Sequence, residues 1–138
     1  MSDAFSSIHY AGQGVVLAGK RTASSTNAIY RSTQFGAPGT WENVGSIPGY
    51  TGAHTYFFGS HDNVVITSTG DEGNPSVLRS SDLGATWRVI LTASQISSLA
   101  GGVDPAAVFS PLHMGCGRWI CCLRDASPGN HLIESTDD

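Results

Sequence analysis

Apolar and polar positions repeat three times along this chain. Each segment carries a short apolar run, a polar stretch, and a second apolar pair that runs into serine or threonine. The first is Val15-Val16-Leu17 with Ile29-Tyr30-Arg31-Ser32-Thr33, and the second is Val64-Val65-Ile66 with Val77-Leu78-Arg79-Ser80-Ser81-Asp82. The third is Trp119-Ile120-Cys121 with Leu132-Ile133-Glu134-Ser135-Thr136-Asp137. Val15 to Arg31 spans 16 positions, while Val64 to Arg79 and Trp119 to Glu134 each span 15. The segments themselves start 49 and 55 positions apart. A fixed inner distance with a loose outer one is the mark of a hairpin unit joined by tolerant loops.

Weaker strands flank each unit. Upstream lie Ser7-Ile8-His9-Tyr10, Thr55-Tyr56-Phe57-Phe58 and Ala107-Val108-Phe109-Ser110. Downstream, Thr40-Trp41-Glu42-Asn43-Val44 and Thr86-Trp87-Arg88-Val89-Ile90-Leu91 open on the same Thr-Trp pair. This predicts units of four short antiparallel strands at about residues 5–46, 54–92 and 106–138. The third stops at Asp137-Asp138, where a turn and a fourth strand are due, and is read as incomplete. Only Ala93 to Leu99 suggests helix, in a linker. Units of this size are propeller blades, so the expected fold is all-β: a single β-propeller-type domain of three four-stranded antiparallel blades.

Composition supports the all-β reading. The chain has 138 residues, 40% of them apolar, only 13% charged, and 17 are glycine. That balance suits short strands and many turns. A net charge of -4 with Lys20 as the one lysine lacks the basic footprint of a nucleic-acid binder, so no nucleic-acid partner is expected. No apolar stretch approaches the ~20 residues that cross a bilayer, so no membrane partner is expected either. The N-terminus has no signal-peptide pattern, which points to cytoplasmic synthesis, with a virion-associated destination as one expectation. Cys116, Cys121 and Cys122 are odd in number and two are adjacent, so they are read as free thiols. His113, Cys116 and Cys121 have metal-ligand chemistry but no recognised spacing, and no metal or cofactor is expected.

Ser80-Ser81-Asp82-Leu83-Gly84-Ala85-Thr86-Trp87 fits the pattern Ser-x-Asp-x-Gly-x-Thr-Trp at every fixed position. Asp82 suits an acceptor for turn N–H groups, Gly84 a positive φ, Thr86 the restart of a strand, and Trp87 an apolar cover. Residues 32–41 are a degraded copy: Gln34 replaces the aspartate and two residues are inserted, but Thr40 and Trp41 remain. Ser135 and Asp137 open a half copy. The chain resembles the Asp-box, or bacterial-neuraminidase repeat, family of β-propellers. The resemblance implies a motif on a turn between outer strands, away from any central site.

The family's sialidases bind a carboxylate with three arginines and cleave with a Tyr–Glu pair and an acidic acid/base. Here Tyr30-Arg31-Ser32-Thr33 lacks the Ile-Pro that follows the first such arginine. Arg31 shares its repeat position with Arg79, so both are read as blade-surface residues. No Gly-x-Ser-x-Gly elbow, phosphate loop or dinucleotide fingerprint occurs. The expected function is a non-enzymatic binding or structural propeller that recognises a glycan or protein in a phage or bacterial surface assembly. Tyr50, Tyr56 and Phe58 are the candidate ligand-binding aromatics, and no catalytic residue is assigned. The alternative is a sialidase-like glycoside hydrolase completed by another chain or by further blades. Three blades leave apolar end faces, so the expected partial propeller is completed either by missing blades or by oligomerisation, and a homo-oligomer is expected for the chain as given.

Overall fold

The computed structural model describes residues 4–21, 29–44, 56–69, 75–102, 104–125 and 129–135. Three antiparallel sheets and one short helix make up these residues. Sheet 1 contains β1 (Ala4–Gly12), β2 (Val15–Arg21), β3 (Ile29–Ser32) and β4 (Trp41–Asn43), paired in that order. Sheet 2 repeats the arrangement with β5 (Tyr56–His61), β6 (Val64–Thr69), β7 (Val77–Ser80) and β8 (Arg88–Leu91). Helix α1 (Ala93–Leu99) leads to sheet 3, in which β10 (Arg118–Asp125) lies between β9 (Pro105–Gly115) and β11 (Asn130–Ser135). Every paired neighbour is also consecutive in sequence, so the sheets need only hairpins and no crossovers.

The alternation of side chains along a strand gives each sheet two faces. Register makes the three sheets equivalent: Leu17 pairs with Arg31, Ile66 with Arg79 and Ile120 with Glu134. These residues lie on what we term the front face, together with Ile29, Val77 and Leu132. The back face carries Val16, Ala18 and Tyr30 in sheet 1, Val65, Thr67 and Leu78 in sheet 2, and Trp119, Cys121 and Ile133 in sheet 3.

Two apolar cores follow from stacking front on back. Ala11, Val15, Leu17 and Ile29 of sheet 1 pack on Val65, Leu78, Leu83 and Trp87 of sheet 2. Ile66 and Val77 of sheet 2 pack on Val108, Trp119, Cys121 and Leu123 of sheet 3, with Ile96 of α1 closing the edge. Leu17, Ile29, Val65 and Leu78 are fully buried, each stabilising the fold by roughly 1.5–3 kcal/mol relative to exposure. Helix α1 is held at its start by the Thr92 N–H donating to Gln95 Oε1 at 2.9 Å.

The upstream strand of the third unit is the longest among the described residues, although only Ala107–Ser110 suggested it. β9 runs for 11 residues, with breaks in its register against β10. Ser110 (φ 48°) and Pro111 sit at one break, where a missing N–H and an unusual backbone cost little. The first strands β1, β5 and β9 are neighbours in space, so the three sheets fan outward from one side.

Candidate functional site

The turn between β7 and β8 is organised by two side chains. Ser80 Oγ accepts the Asp82 N–H at 3.2 Å and the Gly84 N–H at 2.8 Å, and donates to Asp82 Oδ1 at 2.7 Å. Asp82 in turn accepts the Thr86 N–H at 2.9 Å and the Thr86 hydroxyl at 2.6 Å. Burial pushes the Asp82 carboxyl up, but the bonds from Thr86, Ser80 and Ala85 outweigh it and hold the group below its ordinary value of 3.8. Trp87 closes the turn, its indole N–H donating to the Gly84 carbonyl at 3.1 Å. Gly84 has a φ of +80°. A Cβ there would come within 2.6 Å of Leu17 Cδ2, so glycine also allows sheet 1 to approach. Sequence reasoning missed that second demand, and it missed the role of Ser80 as an acceptor.

The degraded copy between β3 and β4 shares the backbone of the first half, through the left-handed Phe35-Gly36 pair, with different chemistry. Ser32 Oγ accepts the N–H groups of Gln34 at 3.2 Å and Gly36 at 3.1 Å, and Trp41 donates to the Gly36 carbonyl at 3.2 Å. Without an aspartate, Thr40 bonds directly to Ser32 Oγ at 2.6 Å and to the Ala37 carbonyl at 2.7 Å. Ser135 ends β11 and is exposed, whereas Asp137 lies outside the described residues.

Arg31 is not the surface residue that its repeat position suggested. Its side chain is 14% exposed, its Nε donates across the sheet interface to the Leu83 carbonyl at 3.0 Å, and its Nη1 meets Glu42 Oε1 at 3.0 Å. Arg79, its counterpart, borders an apolar cavity of about 70 Å³ between sheets 2 and 3, lined also by Ile66, Leu91, Trp119 and Ile133. In the first interface the equivalents of Arg79 and Ile66 are covered by Leu83 and Gly84.

A larger concavity opens where the first strands converge. About 360 Å³ in volume, it is walled by Ser7, Ile8 and His9 of β1, Phe57 and Phe58 of β5, and Ser110, Pro111 and Leu112 of β9. Its size is that of a small-ligand site, and its wall mixes aromatic rings with hydroxyls. The Ser7 hydroxyl is buried and has no hydrogen-bond partner among the described residues. His9 Nε2 meets Ser60 Oγ at 2.8 Å, and burial lowers the pKa of the ring, leaving it neutral at pH 7. Phe58 is thus the one candidate aromatic brought to this site, and it also packs on His9 and Trp87 with ring centroids 6.2 Å apart. Phe57, on the opposite face of β5, also borders the concavity and meets Phe109 edge-on at 5.0 Å. Tyr50 and the side chain of Tyr56 lie outside the described residues.

The thiols are free: Cys116 is exposed on a hairpin, Cys122 is half-buried, and Cys121 is buried. Burial, with Cys122 adjacent, raises the Cys121 thiol to about 11, which suits a small apolar residue rather than a nucleophile. Among the described residues no three His, Cys, Asp or Glu side chains are grouped to hold an ion. His113 instead stacks on His61 of sheet 2 with centroids 3.7 Å apart and meets Trp119 edge-on. None of the described helices is long and apolar enough to cross a membrane. No family model matches this chain, and no curated protein matches it.

Proposed function

We propose that this chain is a recognition module of the Asp-box β-propeller type, and that it binds a saccharide in the concavity where β1, β5 and β9 meet. One observation carries the reading: a wall of Phe57 and Phe58 beside Ser7, His9 and Ser110, with the Ser7 hydroxyl buried and unpartnered. Apolar ring faces against sugar C–H groups, with hydroxyls and an imidazole for sugar O–H groups, are what saccharide binding asks of a site. A buried hydroxyl without a partner is costly, and turning the Ser7 side chain toward the concavity would let a ligand hydroxyl satisfy it. Among the described residues that line it there is no pair of carboxylates of the kind glycoside hydrolysis uses, which favours holding a ring over cleaving a bond. The propeller-type reading is supported by three equivalent sheets with their first strands adjacent, and by the Ser80–Trp87 turn, whose bonds match the demands of the motif.

A glycan array followed by calorimetric titration of the best hit tests this function. Binding that weakens about tenfold in Phe57→Ala, and similarly in a Ser7→Ala variant, is the expected result. A blank array would overturn it, and turnover of a fluorogenic glycoside panel would favour the glycoside hydrolase alternative.

A further inference from the structure

Both internal interfaces stack the front of one sheet on the back of the next, which leaves one back, on sheet 1, and one front, on sheet 3, without a cover among the described residues. The two uncovered faces are equivalent to faces that the molecule already knows how to join. On the back of sheet 1, Phe35 occupies the turn position that Leu83 holds in sheet 2. The two have the same backbone, with φ of 53° and 54°, and each donates its N–H to the adjacent hairpin, to the Gly14 carbonyl at 2.8 Å and the Asn63 carbonyl at 3.0 Å. Leu83 is 8% exposed because sheet 1 covers it, whereas Phe35 is 76% exposed. On the front of sheet 3, Leu132 stands where Ile29 and Val77 are buried, and it is 75% exposed.

We propose that this chain docks head to tail on a second copy of itself, the front of sheet 3 in one copy covering the back of sheet 1 in the next. In that contact Leu132 and Ile120 take the places of Ile29 and Leu17, and Phe35 and Trp41 take those of Leu83 and Trp87. Glu134 replaces the arginine of the internal interfaces, but it holds Arg118 at 2.7 Å, so a guanidinium still stands at that level to meet the turn carbonyl. Such an interface is heterologous: it joins two different surfaces, and it closes into a ring or grows into a filament according to its rotation. Two copies supply six full or partial sheets, within the four to eight of a closed propeller. Only this count rests on the propeller-type reading; the head-to-tail contact does not.

Sedimentation velocity from about 1 to 100 μM tests the docking. The expected species has twice the 14.4 kDa mass of the chain. Phe35→Asp, which spoils the head, and Leu132→Asp, which spoils the tail, should each weaken association about 30-fold or more. Mixing the two variants should restore a pair that cannot grow, because the first keeps a sound tail and the second a sound head. Wild-type protein that stays monomeric at about 100 μM overturns the proposal, as does a mixture no better associated than its parts. Growth beyond two copies that the mixture caps at two supports the docking and removes only the six-sheet ring. Both substitutions are at exposed positions, and unchanged thermal melts confirm folding; if either melts early, Phe35→Ser and Leu132→Ser replace them in the same mixing experiment.

Discussion

The turn at residues 80–87 and the turn at residues 32–41 share a serine that gathers two backbone N–H groups, a left-handed pair of residues, and a tryptophan bonded to a glycine carbonyl. They differ in how the loop is closed and in what lies on top. An aspartate bridges the first turn, and a direct Ser32–Thr40 hydroxyl contact bridges the second. The first is pressed under sheet 1, while the second is open. The local bonding therefore forms without burial, and burial is set separately by stacking.

The comparison can be broken most severely at the glycines. Gly84→Ala combines a left-handed φ with a 2.6 Å approach to Leu17, and should cost ~3 kcal/mol or more in urea denaturation. Gly36→Ala has a similar left-handed φ but meets the Trp41 ring at 3.2 Å and Val16 at 3.9 Å, and should cost ~1–2 kcal/mol. Next come the plugs: Leu83→Ala should lose ~2–3 kcal/mol, and Phe35→Ala less than ~0.5 kcal/mol when measured on dilute, monomeric protein. Smaller again is the bridge. Asp82→Ala should lose ~1–2 kcal/mol, whereas Gln34→Asp should gain nothing measurable, because Thr40 is already committed to Ser32 and Ala37.

The smallest effects are those of pH. Because Asp82 titrates below its ordinary 3.8 in the fold, its contribution is present above pH 3.8 and fades as pH falls through the lower folded value. The stability gap between wild type and Asp82→Ala should narrow there. His9 behaves in the same sense: its folded pKa lies below 6.5, so the unfolded chain binds more protons and stability declines as pH drops below about 6.5. Replacing it with Gln should flatten that slope in pH-dependent melts.

Much of the framework was legible in the sequence. Apolar runs 15 or 16 positions apart marked two strands of each sheet, the weaker flanking segments marked the others, and Ala93–Leu99 marked the helix, because strand pairing within a hairpin is local. Asp82, Gly84 and Trp87 were legible because a turn's demands on φ and on acceptors are local too. What crosses between sheets was not. Arg31 reaches Leu83 over 52 positions and His9 reaches Ser60 over 51, and both are ordinary strand residues by pattern. Arg31 read as surface because its strand neighbours do not reveal which face the next sheet covers. The ligand concavity was half visible, through Phe58; its partners Ser7 and His9 come from another sheet and carried no signal.

Among the described residues, sheet 2 is covered on both faces, whereas sheets 1 and 3 each have one face covered. Cooperativity in a stack of this kind passes only between nearest neighbours, as in repeat arrays. Amide exchange should therefore be slowest in β6 and β7, whose opening must disrupt both cores at once, and should quicken toward β4 and β11.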